Sequence, residues 1–144
     1  MKKTIFIAII TMISAISHYQ CFRKMEAPVA VEESPTAKLI IEDIKIGDKD
    51  IAQPTQKIIV HYKGMLEDGT VFANSYETGN PLITTLGIGE LIPGWDQGIP
   101  GMGIGGIRKL TIPPHLGYGR KKLRNIPANS TLIFEVKLVN ILHH

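Results

Sequence analysis

From Lys38 onward, apolar residues recur at every second position in one run after another, and only one short stretch has helical spacing. A period of two is the signature of a strand with one buried face. Lys38 to Ile46 carries Ile40, Ile44 and Ile46 on one face, and Ile58, Val60 and Tyr62 alternate with Ile59, His61 and Lys63. Asp68-Gly69 reads as a two-residue hairpin turn that leads into Thr70-Val71-Phe72. A further strand, Ile107 to Ile112, is closed by Pro113-Pro114, which cannot donate to a ladder. Leu132, Phe134, Val136 and Leu138 alternate on the last strand, with Glu135 and Lys137 facing outward. The helical exception is Pro93-Gly94-Trp95-Asp96-Gln97-Gly98-Ile99, with a turn expected at Pro114-His115-Leu116. Pro93 presets φ for a first helical turn, Trp95 and Ile99 share a face, and Gly98-Ile99-Pro100-Gly101 stops the helix. These patterns predict an α+β fold, an antiparallel β-sheet folded over one short α-helix. Trp95, the chain's single tryptophan, is then either core filler or the floor of a pocket.

A chain of 144 residues has one-domain length and can bury a core of its own. Its first residues carry an address. Lys2 and Lys3 precede an uncharged apolar run from Thr4 to Ile16, and Ala15 and Ser17 suit cleavage after Ser17. Residues 1–17 therefore read as a secretory signal peptide, either removed or kept as an N-terminal anchor. The run is shorter than the ~20 apolar residues of a membrane span. The expected location is the periplasm or another extracytoplasmic space, with membrane contact only through this segment if it stays uncleaved. Residues 18–37, rich in Glu, Pro, Ala and Val, read as a flexible linker, and residues 38–144 as the folded domain. Cys21 is the sole cysteine, so no internal disulfide exists, and His18-Tyr19-Gln20 before it favours a free thiol over a lipid anchor. Without Lys2 and Lys3, 14 Lys and Arg face 13 Asp and Glu. That balance gives no reason to expect a nucleic-acid partner.

Gly101-Met102-Gly103-Ile104-Gly105-Gly106 matches a dinucleotide fingerprint, but it follows a helix and leads into a strand, the reverse of what phosphate binding needs. It reads as a tight turn. His18, His61, His115, His143 and His144 lack metal-ligand spacing, so neither a metal nor a cofactor is expected. Arg120-Lys121-Lys122-Leu123-Arg124 is a basic run, read as a solvated loop or as an attractor of acidic ligands or anionic headgroups. Tyr62, Phe72, Trp95, Tyr118 and Phe134 come from five separate segments, each on a face that can point inward. A concave site lined by aromatics with a few polar groups is the default binding site for such a chain.

Four segments, in order, resemble one family. Val60-His61-Tyr62-Lys63-Gly64-Met65-Leu66-Glu67-Asp68-Gly69-Thr70-Val71-Phe72 is similar to the first signature of FKBP-type peptidyl-prolyl cis-trans isomerases, and Leu91-Ile92-Pro93-Gly94-Trp95 to the second. Lys109-Leu110-Thr111-Ile112-Pro113-Pro114-His115-Leu116-Gly117-Tyr118-Gly119 resembles the third. Ile126-Pro127-Ala128-Asn129-Ser130-Thr131-Leu132-Ile133-Phe134-Glu135-Val136 completes a match running from about Lys38 to Leu142. The resemblance implies a strongly curved antiparallel sheet wrapped over the short helix. It further implies a catalytic pocket of Tyr62, Phe72, Ile92, Trp95, Tyr118 and Phe134, with Leu82, Leu91 and Ile126 as further substrate-binding residues. Trp95 becomes the floor beneath a proline ring, and the Ile92 N–H and Tyr118 hydroxyl the donors to substrate carbonyls. The implied partners are proline-containing unfolded or partly folded polypeptides, and macrolide inhibitors bound with reduced affinity.

That reduction follows from two departures. The family often carries an acid directly after the Phe72 position, where this chain has Ala73, and a phenylalanine where Leu82 stands. The first removes a carboxylate from the pocket wall, and the second trades a ring for an aliphatic group. Lower catalytic efficiency and weaker macrolide binding are expected, with a non-catalytic proline-binding chaperone module as the alternative.

Overall fold

The structure is a computed structural model that describes residues 37–143. The expected signal peptide, most of the linker, Cys21 and His144 lie outside the described residues. Six strands form one antiparallel sheet: β1 (Ile40–Lys45), β2 (Lys57–Leu66), β3 (Val71–Asn74), β4 (Leu82–Thr85), β5 (Ile107–Ile112) and β6 (Leu132–Leu142). Two short helices interrupt them, α1 (Ser75–Thr78) and α2 (Pro93–Gly98), with a 3-10 turn at Pro114–Leu116. The spatial order is β1-β5-β6-β2-β3, and β4 also pairs with β2. β3 lies against Lys63–Met65 and β4 against Lys57–Val60, so two strands share one edge of β2 in succession. The expected α+β class and the sheet-over-helix arrangement are both present.

The core follows the alternation. Ile58 and Val60 of β2, Leu110 and Ile112 of β5, and Leu132, Val136 and Leu138 of β6 are fully buried. Ile99 and Leu86 join them from the loops around α2. The helix is held against this layer by glycines. A Cβ on Gly94 would stand 2.5 Å from Ile112, and one on Gly98 would stand 2.7 Å from Leu110. Only hydrogen at these positions lets the helix backbone approach the sheet so closely. Pro93 opens α2 as expected, and the Ile99 N–H donates to the Trp95 carbonyl at 3.0 Å.

Three details differ from the sequence reading. The hairpin after β2 is not a two-residue Asp-Gly turn: the Gly69 N–H donates to the Leu66 carbonyl and the Leu66 N–H to the Thr70 carbonyl. Glu67 and Asp68 occupy the turn, and Gly69, at φ 87°, is the left-handed bulge residue behind it. The Thr70 N–H donates to the Asp68 carboxylate at 2.9 Å and, as the main cause, lowers the Asp68 pKa from its ordinary value. Second, Ile40, Ile44 and Ile46 do not form an inward face. They are 53%, 56% and 86% exposed: all six residues of β1 are exposed, so no layer covers either face of this edge strand, and Ile46 lies beyond its end. Third, β4 and α1 were not anticipated.

Candidate active site

The edge where β3 gives way to β4 sets up the site. Tyr62 of β2 falls between the two partner strands, so its backbone groups on that side lack a ladder. Ser75, at the start of α1, replaces it: its Oγ accepts from the Tyr62 N–H at 2.7 Å and donates to the Tyr62 carbonyl at 3.1 Å. Buried backbone groups are thereby satisfied, and Tyr62 is held with its ring inward. Asn74 caps α1 by accepting from the Tyr76 N–H at 3.1 Å, and Gly79 ends the helix at φ 68°. His61, the next residue back, contacts the same Ser75 hydroxyl at 3.0 Å through Nδ1 and stacks on Tyr76. It takes no part in the cavity.

The other walls come from separate elements. Phe72 stands on β3, Leu82 on β4, Leu91 and Ile92 on the loop into α2, Trp95 on α2, Tyr118 and Ile126 on either side of the basic loop, and Phe134 on β6. Together with Tyr62 they line one cavity of about 490 Å³, within the usual range for small-molecule sites. All nine predicted site residues meet there. Ala73, Glu90 and Pro93 complete the lining. Ala73 and Glu90 escaped the list of predicted binding residues, the first because it has almost no side chain and the second because its neighbours carry no periodicity.

The rings pack edge to face. Trp95 lies 5.2 Å from Phe134 at 90° and 5.3 Å from Tyr62 at 80°, and Phe72 meets Phe134 at 5.5 Å and 86°. This arrangement suits aromatic quadrupoles and packs the indole against Tyr62 and Phe134. Gly64 lies behind the rings, where a Cβ would come within 2.7 Å of Phe72 and 2.8 Å of Phe134. Trp95 is 3% exposed, and its Nε1–H is buried without a hydrogen-bond partner among the described residues. Gly87 donates to the Asp96 carboxylate at 2.8 Å, which ties the loop carrying Leu91 and Ile92 to the first turn of α2. Ile92 itself caps the helix in an extended conformation, its carbonyl accepting from the Trp95 N–H at 2.9 Å. Across the cavity, burial is the main cause raising the Tyr118 hydroxyl above the ordinary tyrosine pKa, with the nearby Tyr62 adding to it. Among the described residues no group of three or more His, Cys, Asp or Glu side chains is placed to hold a metal ion.

Fold and site together define a small half-open sheet domain with a cleft lined mainly by aromatic and aliphatic side chains. Comparison with known proteins gives that class a family. Residues 48–139 match the model of the FKBP-type peptidyl-prolyl cis-trans isomerases, and the chain belongs to that family. It is 50% identical over 125 residues to FK506-binding protein 2 of Yarrowia lipolytica, a match covering 83% of this chain and 87% of that protein. It is 49% identical over 104 residues to the FK506-binding protein of Neisseria meningitidis serogroup A, covering 72% of this chain and 95% of that one. Among solved structures, AtFKBP13 superposes with a TM-score of 0.68 at 40% identity, over 72% of this chain and 93% of that chain.

Proposed function

We propose that this chain accelerates rotation about X-Pro bonds in folding proteins of the cell envelope, by seating the proline ring on Trp95. The carrying observation is the convergence of nine side chains from seven separate parts of the chain on one apolar cavity of about 490 Å³. In this reading Trp95 is the floor, and Tyr62, Phe72 and Phe134 are the walls. Leu82, Leu91 and Ile126 flank the entrance, while the Ile92 N–H and the Tyr118 hydroxyl donate to substrate carbonyls. The envelope assignment rests on the Lys2-Lys3 charge and the apolar run from Thr4 to Ile16.

The chemistry follows from the amide. Its resonance sets a rotation barrier of about 18–20 kcal/mol and places negative charge on oxygen. Water favours that charge separation. A dry aromatic pocket weakens it and so favours the twisted, less conjugated transition state over the planar ground state. The two rim donors fix the flanking carbonyls while the proline ring stays buried. No lasting covalent bond is made or broken, and each 1.36 kcal/mol taken from the barrier is tenfold in rate.

A refolding-limited or protease-coupled assay on an X-Pro peptide tests this reading with the full chain. Acceleration that saturates with peptide is expected; a rate equal to the uncatalysed one sinks the enzymatic claim. Ala73 favours one other reading. It lines the wall without a carboxylate, which suits a module that holds proline segments and turns them over slowly. Ala73→Asp is expected to raise kcat/KM or macrolide affinity about tenfold, the worth of one charge-assisted hydrogen bond. If both values stay put, the missing acid does not limit this pocket.

A further inference from the structure

The cavity wall contains a feature that proline binding leaves unused. Tyr118 and Ile126 both line the pocket, and the chain between them carries Arg120, Lys121, Lys122 and Arg124, all exposed. Elsewhere in residues 37–143 there are eight Lys and Arg against ten Asp and Glu. The loop therefore concentrates four positive charges on a domain that is otherwise slightly negative. The side-chain ion pairs among the described residues, Arg108–Asp43 and Lys109–Glu42, lie elsewhere, on β1 and β5. Glu90 is the lone carboxylate in the cavity lining, and it belongs to the separate loop that leads into α2.

The loop is also held in place. The Lys121 N–H donates to the Tyr118 carbonyl at 3.0 Å, and the Asn129 N–H to the Gly119 carbonyl at 2.7 Å. Leu123 and Ile126 exchange backbone hydrogen bonds at 2.9 and 3.3 Å. Leu123, the single apolar residue of the basic run, packs against the core. The charged stems are thus presented on an anchored turn whose two ends are parts of the cavity wall.

We infer that the Arg120–Arg124 loop is a recognition site for acidic residues flanking the proline of a bound polypeptide. The inference rests on the isomerase reading for the identity of the ligand. A polypeptide whose proline is seated must leave the cavity in both directions, advancing about 3.3 Å per residue, so its next few residues pass the lip. Carboxylates there meet four cations with no competing partner among the described residues. Such complementarity raises the association rate and selects among ligands more than it adds contact energy. A lipid surface fits less well, since interfacial binding draws on exposed apolar side chains and the loop turns its only one inward.

The test uses the full chain and matched peptides of one length, each with a central Leu-Pro flanked by Glu, Gln or Lys. Dissociation constants read from Trp95 fluorescence, and kcat/KM read separately, are compared at about 20 mM and 0.5 M salt. The expected order is Glu before Gln before Lys, spanning about tenfold at low salt and about twofold at high salt, where screening shortens to a few ångströms. Replacing Arg120, Lys121, Lys122 and Arg124 together by Gln is expected to erase the order and leave the Gln-flanked peptide unchanged. The K121Q/K122Q pair, whose circular dichroism is checked against the parent, is expected to erase about half of it. The same order in parent and variant, or no order, overturns the inference. So does co-sedimentation with vesicles of mixed phosphatidylglycerol and phosphatidylcholine that depends on the four cations while peptides remain unranked. Failure to turn over the Gln-flanked peptide counts against the isomerase reading alone, because the binding order is measured without catalysis.

Discussion

At the scale of single residues, Tyr118 separates hydrogen bonding from packing in this pocket. Its ring is part of the wall, and its hydroxyl is the only side-chain donor assigned to substrate. Tyr118→Phe keeps the ring and removes one neutral hydrogen bond, worth about 0.5–1.5 kcal/mol. A three- to tenfold loss in kcat/KM is expected, with Trp95 emission unchanged in the free protein. The pH profile gives an independent reading. Burial, and then the neighbouring Tyr62, raise the Tyr118 pKa, so the hydroxyl keeps its proton past the ordinary tyrosine value near 10. Donation is lost only as the pH rises through that raised value. The parent's kcat/KM should hold through pH 10 and fall beyond it, whereas the Tyr118→Phe profile stays flat over the same window. A fall in both profiles would place the titration elsewhere. The position of Tyr118 was legible in the sequence through the resemblance of Lys109–Gly119 to a family signature, which sets that ring in the pocket wall. Ser75 was not legible. A serine in a four-residue helix has no pattern, and its value lies in a break in the ladder that appears only when β3 and β4 are both in place.

Among the elements, α2 shows how six residues can carry a site. The helix is too short to be stable alone and owes its existence to contact with the sheet. Gly94 and Gly98 are what permit that contact. An alanine at either position gains up to about 1 kcal/mol in helix propensity and loses about 1–3 kcal/mol to overpacking. The packing term wins here, since Leu110 and Ile112 are fully buried and have nowhere to swing. Urea denaturation should show Gly98→Ala destabilised by about 1 kcal/mol and Gly94→Ala by more, because three Ile112 carbons lie within 2.9 Å of its Cβ position. Equal or increased stability in both variants would mean the helix can lift off without cost. The same element scale marks where the sequence was readable. β5 and β6 stand where alternation put them, as the inner strands of the sheet with one face fully buried. Leu82–Thr85 and Ser75–Thr78 are four residues each, too few to repeat a period of either kind. Ile40, Ile44 and Ile46 showed the period without the burial, since alternation reports a pleat and does not say whether another layer covers it.

For the whole molecule, one buried cation joins the parts that the backbone leaves separate. Arg108 on β5 donates through Nε to Asp43 Oδ1 at 2.6 Å and through Nη2 to Oδ2 at 3.2 Å, a bidentate pair across to β1. Its Nη1 donates to the Gly98 carbonyl at 2.7 Å and to the Pro100 carbonyl at 3.2 Å. These are carbonyls at the end of α2, which a helix leaves without partners and where its dipole favours positive charge. Arg108 thus closes the helix that carries Trp95, and Asp43 orients it from the edge strand. The Arg108 side chain is 10% exposed and that of Asp43 46%, so the two losses differ in kind. Arg108→Met strands the buried Gly98 carbonyl, at about 1–3 kcal/mol for a buried group left unpaired, and frees the part-buried Pro100 carbonyl at less cost. Asp43→Ala leaves a guanidinium that keeps its carbonyl acceptors, and the partly exposed pair is worth less than the 3–5 kcal/mol typical when a fully buried pair is broken. Urea denaturation should therefore rank Arg108→Met as the more damaging substitution and move Trp95 emission in it alone. If Asp43 acts by orienting Arg108, the double variant will lose about 0.5–2 kcal/mol less than the two single losses added together. Strict additivity would mean that β1 contributes to the sheet and nothing to the site.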